Sequence, residues 1–127
     1  MKEFLLSRIR SFQYAFSGWW YVLRTQRNTW IHAVLSLSVA AVGFWLHISR
    51  YEWALVIIAI TLVWGSEFLN TALEAVVDLA TEDDHPLAKV GKDVGAASVL
   101  ITALAAVLIG LLVLGPHLWE KISSYAR

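Results

Sequence analysis

The sequence contains no cysteine, and its ten basic residues are matched by ten acidic ones. Without cysteine there is no disulfide, no thiol nucleophile and no thiolate metal site. A balanced charge gives no case for a nucleic-acid partner. No internal repeat or low-complexity tract is visible. Known soluble nucleotide motifs are missing too. Gly91, Lys92 and Asp93 lack the earlier glycine and the following Ser/Thr of a phosphate-binding loop, and no G-x-G-x-x-G occurs. The N-terminus is broken by Arg8, Arg10, Arg24 and Arg27, so it does not read as a signal peptide.

Charge is also absent from long stretches. Residues 53–64 and 94–115 carry none, and 31–48 is apolar apart from Ser36, Ser38 and a histidine near each end. The chain is 58% hydrophobic, above the roughly 45–50% of soluble domains. A spanning helix needs about 20 mostly apolar residues. The third run meets that, the first nearly does, and the second does if it continues through the acidic stretch after Trp64.

The expected architecture is an all-α membrane protein of one domain, 1–127. A surface helix (about 3–25) precedes three membrane spans (about 29–48, 52–80 and 93–115). In the surface helix Phe4, Leu5, Ile9, Phe12, Phe16, Trp20 and Leu23 recur every three to four positions, with Lys2, Ser7, Arg8, Ser11 and Gln13 between them. That pattern is a basic amphipathic helix lying on a membrane. A tight turn is expected around 49–52, and Pro116 after Gly115 is expected to end the third span. Basic residues ahead of span one, with Lys89 and Lys92 between spans two and three, place the N-terminus and the 81–93 loop in the cytoplasm. Trp30, Trp53, Trp64 and Trp119 fall near span ends, Trp64 fitting least well.

The second span is the unusual one. Continuous helix from Glu52 to Ala80 would be about 43 Å long, against a hydrocarbon core of roughly 30 Å, so about two turns protrude. Glu67, Asn70, Glu74 and Asp78 stand at i, i+3, i+7 and i+11, within roughly 80° of one another on a helix. An ionised acid at mid-bilayer costs about 2.5–3.5 kcal/mol, a cost that presses hardest on Glu67. The stripe must therefore face protein, water or a cation. One reading is interhelical hydrogen bonding. The other is a cation site: stacked carboxylates repel unless a cation or proton lies between them, and hard oxygens suit Mg²⁺ together with substrate phosphates. Lys89, Lys92 and Arg27 on the same side supply point charges for phosphate. Residue chemistry thus leads to metal and phosphate at an intramembrane acid site.

At these residues the chain resembles the small prokaryotic membrane kinases of diacylglycerol and undecaprenol. The resemblance rests on "EFLNTALEAVVDL" at 67–79, "HPLAKVGKDVGAASVL" at 85–100 and "RNTWIH" at 27–32. It implies a homotrimer in the cell membrane, with composite active sites taking ATP and Mg²⁺ from the cytoplasm and a lipid from the bilayer. By motif position Glu67 would be the general base for the lipid hydroxyl, and Asn70 would orient the reacting groups. Glu74 would hold the metal, with Gln26 where many family members place a second metal-binding glutamate. Lys92 and Asp93 would meet the nucleotide phosphates, Asp78, Asp83, Asp84 and His85 would lie by the nucleotide, and Tyr14 would reach it from the surface helix. The "RNxxIH" and "HPLAK" segments lean toward undecaprenol as substrate.

Gln26 departs from the family pattern and leaves the metal site one carboxylate short. His32 matches the family's "IH", with a capping or interfacial role as the alternative to a substrate role. His47 and His117 read as interfacial, and Gly95, Ala96, Ala97 and Ser98 as small residues for close helix packing. The rival from another class is a small proton- or ion-coupled carrier using Glu67. It explains Glu67 but leaves Glu74, Asp78, Lys92 and Asp93 without a role.

Overall fold

The computed structural model describes residues 1–81 and 83–126. They form four helices: α1 (Lys2–Thr25), α2 (Arg27–Leu46), α3 (Arg50–Ala80) and α4 (Pro86–Tyr125). The last three are each long and apolar enough to cross a membrane. Their outer faces agree with that: Leu104, Leu111, Leu112 and Ile58 are exposed on this chain, as suits helices whose solvent is hydrocarbon.

Each break between helices has a local cause. Gln26, in an extended conformation, separates α1 from α2. α2 ends on His47, the one non-glycine residue with left-handed backbone among those described. Ile48 N–H then bonds back to the Gly43 carbonyl at 3.2 Å, the six-to-one closure of a Schellman turn. Gly43 permits this closely packed end, because a Cβ there would lie 3.1 Å from Ile48 and 3.2 Å from Trp53. Ser49 starts α3 through a reciprocal capping box: its hydroxyl accepts from Glu52 N–H while Glu52 accepts from Ser49 N–H at 2.7 Å. The turn therefore lies at 47–49, slightly ahead of the 49–52 expected, because the box places Glu52 inside the helix. Pro86 at the first position of α4 needs no N–H partner, and His85 Nδ1 accepts from Leu87 N–H at 3.2 Å.

α4 does not stop at Pro116 but continues to Tyr125. Proline removes one helical hydrogen bond, yet its neighbours are anchored on both sides. Val113 and Leu114 are buried in a cluster with Leu46, Ile48 and Val56, and Leu118 packs against it. His117 Nε2 meets Glu52 Oε1 at 2.8 Å, tying the far part of α4 to the start of α3. His117, read as interfacial, is thus also a hydrogen-bonding partner of Glu52.

α1 buries only Val22 among its own residues, leaving its apolar face open. It is held at its C-terminal half by aromatic stacking. Trp19 lies on Trp64 with centroids 4.8 Å apart and 17° between planes, and on Phe68 at 5.4 Å. Trp64 also donates its indole N–H to Ser36 on α2 at 3.2 Å. Trp64 therefore links α1, α2 and α3 rather than marking a span end.

Candidate active site

The polar stripe on α3 is a single row graded by burial. Glu67 is 2% exposed and Asn70 is 8% exposed; Glu74 is half-buried and Asp78 exposed. The order follows from position: each step of a turn moves the side chain about 5.4 Å toward the end of the bundle that carries the α3–α4 loop.

Two cavities open along this row. The inner one, about 320 Å³, is lined among others by Gln26, His32, Glu67, Asn70 and Glu74. Here Glu74 is gripped by two amides: Gln26 Nε2 donates to one carboxylate oxygen at 2.9 Å, and Asn70 Nδ2 donates to the other at 3.0 Å. The carboxylate can only accept, so Gln26 turns its NH₂ toward Glu74 instead of its carbonyl. His32 Nε2 lies 3.9 Å from Glu67 Oε2, and it is the one basic group paired with Glu67 among the described residues.

Asn70 is held further by a close helix approach that sequence reasoning registered only as small residues in span three. Its Oδ1 is buried without a hydrogen-bond partner among the described residues. The reason is Gly95 on α4: a Cβ there would fall 2.3 Å from Asn70 Oδ1 and 3.2 Å from Leu73 Cδ2. Glycine lets α4 close over the amide and so fixes its NH₂ toward Glu74. Gly95→Ala is expected to cost about 1–3 kcal/mol by overpacking, read as a lower unfolding midpoint in detergent micelles. An unchanged midpoint would show that Asn70 is not confined by this contact.

The outer cavity, about 770 Å³, lies where α3 ends and α4 begins. Asp78, Asp83, Asp84, His85, Lys92 and Asp93 all line it, within the roughly 300–1,000 Å³ of small-molecule sites. Lys92 bonds Asp78 across the two helices at 2.5 Å, and Lys89 pairs with Asp93 one turn along α4. Lys92 stands ahead of the uncharged run that begins at Val94. The Asp78 carboxylate hydrogen-bonded to its ammonium holds the lysine above its ordinary range, outweighing partial desolvation. Lys89 is a lining residue that sequence reasoning treated only as part of a basic set. Tyr14 stands exposed on α1 and lines neither cavity.

For a metal, the donor set is thin but suitable in kind. Among the described residues no group of three His, Cys, Asp or Glu comes together. Glu74 offers a carboxylate, while Gln26 and Asn70 present their NH₂ groups to it and Asn70 Oδ1 is closed off by Gly95. Gln26 can add its carbonyl oxygen by turning its amide over, and one carboxylate with such an oxygen suits Mg²⁺, which keeps waters and takes the rest of its ligands from substrate phosphates. The residues therefore fit a metal carried in with a polyphosphate rather than one caged by protein alone.

A bundle of three membrane-length helices, with a buried acid row joining a charged outer cavity to an inner one, defines a small integral-membrane enzyme. Residues 13–114 match the family described as prokaryotic diacylglycerol kinase. The chain is 40% identical over 109 residues to the undecaprenol kinase of Bacillus subtilis, covering 86% of this chain and 89% of that one. It is 33% identical over 104 residues to the diacylglycerol kinase of Escherichia coli K12, covering 76% and 85%. It is 42% identical over 109 residues to the diacylglycerol kinase of Synechocystis, covering 85% of this chain but 62% of that longer one. The chain belongs to the prokaryotic diacylglycerol kinase family, a family of lipid kinases.

Proposed function

We propose that this protein transfers the γ-phosphoryl group of ATP to the hydroxyl of a membrane lipid, either undecaprenol or diacylglycerol. The observation that carries the reading is the continuity of the α3 row. Asp78 lines the outer cavity and Glu74, Asn70 and Glu67 the inner one. Glu67 stands about 16 Å along α3 from Asp78, so the triphosphate of a nucleotide seated at Asp78 extends inward along the row past Glu74 to reach a hydroxyl at Glu67.

In this reading the nucleotide occupies the outer cavity. Lys92 and Asp93 face its phosphates, and Asp83, Asp84 and His85 lie beside it, with Tyr14 reaching over from α1. Four aspartates and two lysines line that cavity, so bare polyphosphate is repelled and a cation-bound nucleotide is favoured. Glu74, with Gln26 once its amide has turned over, would hold Mg²⁺, which when bound neutralises charge on the transferring phosphates. The lipid hydroxyl enters the inner cavity and gives its proton to Glu67. Its oxygen forms the new bond to phosphorus as the bond to the leaving ADP oxygen breaks. Asn70 keeps Glu74 oriented throughout. Positioning and charge neutralisation carry most of the catalysis in such transfers.

The reading also places the protein in the cytoplasmic membrane with its N-terminus and α3–α4 loop inside. The excess of lysine and arginine at that end supports this. The functional unit is a homotrimer with sites completed by neighbouring copies. Support for that comes from the resemblance and from an inner cavity that opens at the surface of one chain.

Incubating purified protein with labelled ATP, undecaprenol and diacylglycerol in mixed micelles tests the function. Label in one of the two lipids is expected. Label in neither, together with ion flux abolished by Glu67→Gln, would replace the kinase by the carrier.

Gln26 tunes the metal. As an amide it stabilises a lone Glu74 carboxylate, whereas a glutamate there would repel it and make both await a cation. Gln26→Glu is expected to tighten the apparent Mg²⁺ affinity about tenfold. Titrating activity against Mg²⁺ checks this, and an unaltered half-saturation point would refute it.

A further inference from the structure

His32 on α2, for which a substrate role and a capping or interfacial role were both open, faces Glu67. His32 is largely enclosed, its side chain 13% exposed beside a Glu67 side chain 3% exposed. It borders the inner polar cavity and also a separate apolar cavity of about 340 Å³ that runs between α2, α3 and α4 toward Leu118. Ala103 on α4 borders both as well. His32 therefore stands where hydrocarbon gives way to the acid row. An alcohol on a long apolar chain meets its first polar groups at this boundary.

The spacing to Glu67 is informative. At 3.9 Å, His32 Nε2 and Glu67 Oε2 are too far apart for a direct hydrogen bond. An oxygen about 2.8 Å from both fits between them, with an angle near 90° at that oxygen. A hydroxyl is the group that satisfies both partners. It donates its one proton to the carboxylate and accepts from an imidazole N–H.

We propose that His32 is a catalytic residue that holds the acceptor alcohol, its Nε2–H donating to the lipid oxygen whose proton Glu67 removes. This rests on Glu67 as the base. The imidazole donor occupies one lone pair, steering the other toward phosphorus. It also stabilises the negative charge that grows on the oxygen as the O–H bond breaks. The proton goes to Glu67 and the oxygen's electron pair to phosphorus. His32 donates a hydrogen bond and transfers no proton. Because the bond is made to the alcohol alone, its loss falls on the lipid and leaves the nucleotide unaffected.

The test is steady-state kinetics of His32→Ala and His32→Gln in mixed micelles, varying lipid and ATP separately. His32→Ala is expected to lower kcat/KM for lipid about 10- to 30-fold, the size of one lost hydrogen bond to a developing charge, with the KM for ATP unchanged. His32→Gln, whose amide N–H reaches a similar point, is expected to recover to within about threefold of the unaltered protein. Unchanged lipid kinetics in His32→Ala, or a glutamine variant as impaired as the alanine one, would overturn the assignment. Site-resolved diethylpyrocarbonate labelling of the unaltered protein decides the matter if the variants fail to fold. The lipid alcohol is expected to protect His32 more than the same lipid bearing hydrogen in place of its hydroxyl, and equal labelling would overturn the proposal. An unaltered protein that phosphorylates no lipid would overturn the kinase reading itself. An active one indifferent to His32 overturns only this inference.

Discussion

Glu67→Gln is expected to lower lipid phosphorylation by about 10³-fold, within the range general-base removal produces, while making the protein more stable. The two effects share one cause. Glu67 is 2% exposed, and the one basic group beside it, among those described, stands at 3.9 Å. A carboxylate so enclosed is poorly solvated, which leaves it open to the substrate hydroxyl and makes it a burden on the fold. Glutamine has the same shape and no charge to desolvate, so a gain on the order of 1–2 kcal/mol is expected. Activity toward lipid and unfolding in micelles are to be measured on the same preparations. A variant that is both inactive and less stable would mean that Glu67 acts as a structural partner rather than as the base. A variant that keeps its activity would remove it from the chemistry.

Lys92→Met is expected to reduce kcat/KM for ATP about 100-fold with little change in stability. The Lys92–Asp78 pair joins α3 to α4, but with side chains 44% and 64% exposed it is screened by water. Exposed pairs contribute about 0–1 kcal/mol. For the nucleotide the same exchange acts twice. One of two lysines in a cavity with four aspartates disappears, and Asp78, freed from its partner, then repels the phosphates directly. Rates measured against ATP concentration at fixed Mg²⁺ check the prediction. An unaltered KM for ATP in a well-folded Lys92→Met protein would place the phosphates elsewhere. A large loss of stability would instead make the pair a strut of the bundle.

How far each feature could be read ahead of the structure depended on whether it lies within one helix or between two. The row of Glu67, Asn70, Glu74 and Asp78 was legible because helical periodicity fixes which side chains share a face, and the cost of burying charge says that face must be occupied. The order of their burial, from Glu67 enclosed to Asp78 exposed, follows from the same arithmetic. The long apolar runs were legible for a similar reason, since span length and hydropathy are local sums.

Pro116 shows the opposite case. Locally Gly115 and Pro116 read as a stop, yet α4 continues because Leu114 and Leu118 pack beside Leu46 and Val56, and His117 reaches Glu52. Those partners lie more than fifty residues away in sequence, so no local pattern reports them. Trp64 is similar: it fits poorly as an interfacial tryptophan because its place is set by Trp19 of α1 stacked on it.

The sequence by itself determined the class of the protein, its membrane-length helices, and the acid row with its neighbouring "HPLAKVGKD" segment. Tertiary structure alone decided how that row is held. It put Gln26 from the α1–α2 break against Glu74, Gly95 of α4 over Asn70, and His32 of α2 opposite Glu67. Helical periodicity acts over a few residues and is written in the chain. The approach of one helix to another is set by packing along their whole length, and it appears only when the chain is folded.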